Sequence, residues 1–146
     1  MRKKIRIIVL ILLLLFIWGN SCLPQSASIQ ESGWVTELLR PILSRLIGAE
    51  HFTGHLVRKM AHFVEYAVLG CAMWLLVVCL PLKDAWRLPF SMVGTMLVAL
   101  LDETIQIFSG RGPMIQDVWL DFAGAIVGLL ITGLIWQSRK KRKRNT

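Results

Sequence analysis

The sequence predicts an all-α membrane protein: a bundle of about four transmembrane helices with an amphipathic interfacial helix in the first outer loop. Three observations carry that prediction. The 146-residue chain is 55% hydrophobic with a mean hydropathy of +0.58, more apolar surface than a small soluble domain can hide. The apolar residues gather in four segments. Three of these have the roughly 20 residues that a helix rising about 1.5 Å per residue needs to cross a hydrocarbon core of about 30 Å. The basic residues, finally, fall unevenly on the two sides that such a bundle would have.

The first segment, about residues 5–23, has a basic start and an apolar core, so it also has the outline of a signal peptide. Phe16, Ile17 and Trp18 are too bulky for a cleavage site, and Asn20 fits poorly before Cys22 in a lipoprotein signal. The segment is therefore read as an uncleaved anchor, with Trp18 at the interface. Residues 34–50, "WVTELLRPILSRLIGAE", repeat apolar residues at intervals of three and four, with Glu37, Arg40, Ser44 and Arg45 on the other face. That is a helix too short and charged to span, started or kinked by Pro41. Spans at about 60–80, 88–108 and 118–136 follow, then a basic tail at 137–146, all in a single domain.

With four spans, the amino terminus, the turn at 81–87 and the tail share one side. They carry twelve of the 17 basic residues, leaving Arg40, Arg45, Arg58, Lys59 and Arg111 on the other. Positive charge is retained inside, so both termini are expected in the cytoplasm and Gly110 outside, in a multi-pass protein of the cell membrane. The tail "RKKRKR" has the composition of a nucleic-acid arm. Beside a span it is read instead as a topology anchor or a contact for anionic lipid, and no nucleic-acid partner is expected.

Cys71 and Cys79 share one helix about 12 Å apart along its axis, too far to bond, and Cys22 stands alone. His51 and His55, four residues apart, lack a third ligand in sequence and read as interfacial histidines. No phosphate loop, HExxH or nucleophile elbow is present. No metal site and no cofactor can be assigned on this basis, although the carboxylates described next leave a divalent cation open.

Polar residues inside the spans carry the functional signal. In "RKMAHFVEYAVLG", Lys59, His62 and Glu65 recur every three residues and Tyr66 follows His62 by one turn, so they share a broad helix face. Asp102, Glu103 and Gln106 occupy the last turns of the third span, and Asp117 and Asp121 the start of the fourth. Successive spans run in opposite directions, so all three groups arrive at one outer level. Arg111, in the connecting turn "SGRGPMIQD", is a natural fork for an anion. As flanking charges they would only neutralise one another, which accounts for Lys59 and Asp117. It accounts less well for Glu65, Asp102, Glu103 and Asp121, since ionisable groups among apolar neighbours in a membrane mark function. Adjacent helical residues point about 100° apart, so Asp102 is assigned to the pocket with Gln106, and Glu103 to a second inward contact, one looking toward the second helix and the other toward the fourth. Gly124 and Gly128 form a G-x-x-x-G that lets the fourth helix approach its neighbours. Packing within the bundle is the simpler use, a homo-oligomer the alternative.

"RKMAHFVEYAVLG" and "LLDETIQIFSGRGPMIQDVWLDFAGAIVG" together resemble the VanZ-like family of bacterial membrane proteins, named for a teicoplanin-resistance protein. The residues that carry the resemblance are Lys59, His62, Glu65, Tyr66 and Gly70, then Asp102, Glu103, Gln106, Arg111, Asp117, Asp121, Gly124 and Gly128, over roughly residues 55 to 130. It implies a cell-envelope setting and glycopeptide resistance in at least one member, without a settled reaction. Two functions are compatible with it. In one, the protein binds membrane lipid or a lipid-linked envelope precursor, with Lys59, Tyr66, Gln106, Arg111, Asp117 and Asp121 as ligand contacts. In the other it is a membrane-embedded hydrolase or transferase, with His62, Glu65, Asp102 and Glu103 as the catalytic groups.

Overall fold

The computed structural model describes residues 2–24, 33, 35–38, 40–41, 53–110 and 115–143, with the side chain of Arg2 excepted. Among them, four helices are long and apolar enough to cross a membrane: α1 (Arg2–Cys22), α2 (Gly54–Val77), α3 (Asp84–Phe108) and α4 (Ile115–Arg142). The protein is an all-α, multi-pass membrane bundle. The helices run beyond the apolar segments. α2 begins six residues before Met60 and ends at Val77, leaving Cys79 and Leu80 in the turn. α3 begins at Asp84, and α4 carries the first part of the basic tail as far as Arg142. A helix of 28 residues is about 42 Å long, so α4 overreaches a hydrocarbon core of roughly 30 Å and its last basic turn emerges from it. Of the predicted helix at 34–50, residues 35–38 and 40–41 are helical, as is residue 33 before it, and 34, 39 and 42–50 lie outside the described residues. Arg40 and Glu37 pair at 2.8 Å on its outer face, but Leu38, assigned to the apolar face, is exposed, while Thr36 is buried.

Local chemistry sets the helix ends. Thr53, in extended backbone, caps α2 by accepting a hydrogen bond from Leu56 N at 3.2 Å. Asp84 in the first turn of α3 and four basic residues in the last turn of α4 complement the helix dipoles. Pro89 removes one backbone donor from α3. The chain leaves α3 through Gly110 at φ 75°, the left-handed conformation that glycine adopts without steric cost. Ser91 and Thr95, both fully buried in α3, return their hydroxyls to the carbonyls of Arg87 and Ser91 at 2.8 and 3.0 Å, so neither leaves a donor unmet.

The central contact is α2 against α4. A Cβ on Gly124 would fall on the carbonyl oxygen of Phe63, one on Gly128 on that of Ala67, and one on Gly70 on that of Ala125. The three glycines thus bring two backbones into direct contact, and the glycine pair works inside the bundle as the sequence suggested. Further along, Gly133 lies under the Trp74 ring. α3 packs across this pair, and α1 lies on α2 and α3 through Ile17, with Leu10, Leu13, Leu14 and Trp18 partly buried against the same core. Trp18, read from sequence as an interfacial marker, turns into the bundle because its face of α1 is the one that meets α2 and α3. Leu12, Leu15 and Phe16, each more than half exposed, form the opposite, lipid-facing side.

Candidate functional site

One end of the bundle gathers the predicted residues. α3 brings Asp102, whose side chain is fully buried and both of whose oxygens are bonded. Ser21 Oγ donates to Oδ1 at 2.6 Å and Gln106 Nε2 donates to Oδ2 at 3.0 Å. Gln106 is one helical turn after Asp102, so the spacing alone places it correctly. Ser109 Oγ, at the end of the same helix, donates to the Ser21 carbonyl at 2.9 Å and fixes the end of α1 against α3. α4 brings Asp121, 1% exposed, whose two carboxylate oxygens have no hydrogen-bond partner among the described residues. α2 brings His62, whose Nδ1 is 3.8 Å from Asp121 Oδ1, too long for a hydrogen bond. One ligand-capable atom from each of His62, Asp102 and Asp121 lies within 4.8 Å of the other two.

Around this trio stand the other carboxylates. Glu103 is buried too, 7% exposed, and Glu65 is half-buried, with the Asn20 side chain of α1 beside it. Tyr66 is completely buried within electrostatic range of Asp102, Asp121, Glu103 and Glu65, and its hydroxyl has no hydrogen-bond partner among the described residues. Lys59 and Asp117 form the rim. Lys59 Nζ is 2.8 Å from Asp117 Oδ1, each side chain about a quarter exposed. Arg111 lies outside the described residues.

Nine of the ten predicted site residues are therefore placed at one end of the molecule, in two tiers: a buried tier centred on Asp102, Asp121 and His62, and a rim where Lys59 and Asp117 satisfy each other. The adjacent pair Asp102 and Glu103 both turn inward. Asp102 meets α1 through Ser21 as well as standing near α2 and α4, so the expected division between second and fourth helices omitted a neighbour. The sequence reading missed Asn20 and Ser21. In the sequence Asn20 serves only as an argument against processing, and the available signal is that two small polar residues end α1 at the level of Glu65 and Asp102. It also assigned no metal-capable set, because these ligands come from three helices and have no sequence spacing to recognise. Of the histidine pair considered instead, His51 lies outside the described residues and His55 Nδ1 is 3.2 Å from Arg58 Nη2.

A family model described as VanZ/LLP1 matches residues 6–136, most of the chain. The chain belongs to the VanZ/LLP1 family. The match begins in α1 and ends in α4, so it includes all four helices that build the polar end, and it makes this multi-pass membrane protein a member of a cell-envelope family. No curated protein and no solved structure matches the chain. Within the family match, α1 supplies a hydrogen bond to the buried Asp102 through Ser21, so it touches the polar cluster as well as crossing the membrane.

Proposed function

We propose that this VanZ/LLP1 protein binds a lipid-linked or anionic component of the cell envelope in the polar pocket at the outer leaflet, and that it thereby contributes to tolerance of teicoplanin-type glycopeptides. The observation that supports this is the convergence of Asp102, Asp121 and His62 from three helices within 4.8 Å, in a part of the chain that should lie among lipid tails. A bundle needs no such group for stability, since burying a carboxylate costs several kcal/mol by order of magnitude unless its partners offset it. The buried tier is strongly acidic. It suits the hydroxyls, amines or bound cation of a head group, and the phosphate would be met at the rim, where Lys59 can exchange Asp117 for it and Arg111 is the second candidate by sequence.

The orientation in this reading has both termini in the cytoplasm. Cys22 is exposed at the polar end, so with Cys71 and Cys79 replaced by Ala it should react in whole cells with a thiol reagent that does not cross the membrane. Reaction only after the cells are opened would invert the topology and move the pocket to the inner leaflet. For function, overproduction of the protein should reduce susceptibility to a lipoglycopeptide, and Asp102→Asn with Glu103→Gln should abolish that effect at an unchanged membrane level. Full effect in the double variant would remove the pocket from the function altogether.

A second reading, a membrane hydrolase or transferase on the same lipid, draws on the His62 ring standing beside Asp121, an arrangement in which the carboxylate would orient the imidazole as a general base. Turnover of a lipid-linked phosphate by purified wild type, lost in His62→Gln, would favour it over binding alone.

A further inference from the structure

The trio, two buried carboxylates and a partly exposed imidazole, has the composition of a metal centre, and we propose that His62, Asp102 and Asp121 hold one divalent cation of the zinc or manganese class. This rests on the reading of the polar end as a working pocket and adds its inorganic component. One imidazole and two carboxylates form a mixed nitrogen and oxygen set, which favours such ions over calcium, whose sites use oxygen alone. Three protein ligands leave coordination positions open for water or a head-group oxygen, as catalytic and ligand-binding metal sites do. The geometry is close. Donor atoms bound to one ion at about 2.1 Å lie roughly 3 to 3.5 Å apart, so atoms already within 4.8 Å need only side-chain rotations of the order of an ångström.

Two observations beyond the clustering of acids point to a ligand here. Asp121 is 1% exposed, yet neither carboxylate oxygen has a hydrogen-bond partner among the described residues. Tyr66, fully buried in the same cluster, likewise has a hydroxyl without one. Buried polar groups are nearly always satisfied; Trp18 Nε1, Trp74 Nε1 and Arg87 Nε lack a partner as well, but here two oxygen-bearing side chains lack one within the same cluster, where one bound ligand would serve both. A cation satisfies Asp121 directly, and a ligand on that cation gives the Tyr66 hydroxyl an acceptor. The surroundings agree: Ser21 and Gln106 hold Asp102 from outside the trio, as supporting hydrogen bonds orient a metal-bound carboxylate. A cation would also explain how an anionic lipid enters an acidic pocket. Its phosphate oxygens would take the open coordination positions, with Lys59 beside them.

The test uses the full chain in nanodiscs, stripped with a chelator and then titrated with manganese, followed by electron paramagnetic resonance, and with zinc, followed by metal analysis after desalting. One equivalent of one of these ions should bind. Asp121→Asn and His62→Gln should each weaken binding by about tenfold or more, and Asp84→Asn, at the opposite end of the bundle, should bind as the wild type does. His62 is partly exposed, so its variant remains informative if a buried substitution fails to fold. Absence of a stoichiometric ion in the wild type, or undiminished binding by both variants, overturns the proposal. If no ion binds while the Asp102→Asn, Glu103→Gln protein still loses the resistance effect, the cation falls and the pocket stands. If the ion binds and depends on Asp121 and His62 while that double variant keeps full effect, the metal centre stands and the proposed function falls.

Discussion

Both ends of the bundle carry charge, and they hold it in opposite ways. At the basic end, Asp84 on α3 receives Arg87 Nη1 at 2.6 Å and Lys140 Nζ at 2.8 Å, in a shallow setting where the Asp84 side chain is 63% exposed. At the other end Asp102 and Asp121 are 0% and 1% exposed, and the cation most clearly placed there, Lys59, is committed to Asp117 on the rim. The first arrangement is what topology requires. Exposed pairs keep their charges in water and contribute little to stability, but they prevent the end of α4 from being drawn into lipid. The second costs the fold free energy, because carboxylates are brought out of water, and of the two only Asp102 has the hydrogen bonds of Ser21 and Gln106 to offset it. The two ends thus hold charge at different depths, and the proposed function rests on the buried one.

The comparison depends on the α2–α4 contact, which holds the acidic residues of α4 against α2, and breaking that contact should have the largest effect. Gly128→Ala places a methyl group on the Ala67 carbonyl, and backbone cannot rotate aside as a side chain can. The expected cost is about 3 kcal/mol or more. Size-exclusion chromatography of heated, detergent-solubilised protein should show the loss of the monodisperse peak at a markedly lower temperature. A variant as stable as the wild type would mean that the helices sit further apart than described, and that Asp121 does not reach His62.

A smaller effect should come from the polar end alone. Ser21→Ala removes a 2.6 Å hydrogen bond to a buried carboxylate and leaves Asp102 with Gln106 on its other oxygen. Hydrogen bonds to charged groups contribute roughly 1.5 to 3 kcal/mol, so a loss of about 2 kcal/mol is expected in the same assay. Ser21→Thr, which keeps the hydroxyl, should recover part of it. If alanine cost nothing, α1 would be an anchor resting on the site, and the site would belong to α2, α3 and α4.

That question also marks where the sequence stopped being informative. The positions of His62, Glu65 and Tyr66 on one face follow from helical periodicity, and the meeting of Asp102 with Asp121 at one level follows from counting the direction of successive spans. The glycine contacts were readable because small residues four apart have a single mechanical use, close approach of backbones. Ser21 was not readable. α1 is apolar all round, so nothing in its pattern distinguishes the face carrying Ile17 and Ser21 from the one carrying Leu12 and Leu15; only contact with α2 and α3 does. The pairing of Lys59 was equally open, since several acids lay at its level and sequence does not say that Asp117 is the one within 2.8 Å. A ligand set drawn from three helices leaves no spacing at all, whereas a zinc motif on one helix or loop would have shown itself at once.

The smallest effect should be found at the basic end, and its smallness is the point. Asp84→Asn removes the acceptor shared by Arg87 and Lys140, but Asp84 is 63% and Lys140 54% exposed, and only the Arg87 side chain, 18% exposed, is enclosed. Lys140 finds other partners in water, and the basic residues beyond it still hold the end of α4 on its side of the membrane. The melting temperature should therefore change by less than the assay resolves, and binding at the polar end should not change. Were Asp84→Asn to destabilise the protein as much as Ser21→Ala, the basic end would be carrying structural energy comparable to the buried one. The contrast between an anchor and a site would then have to rest on burial alone.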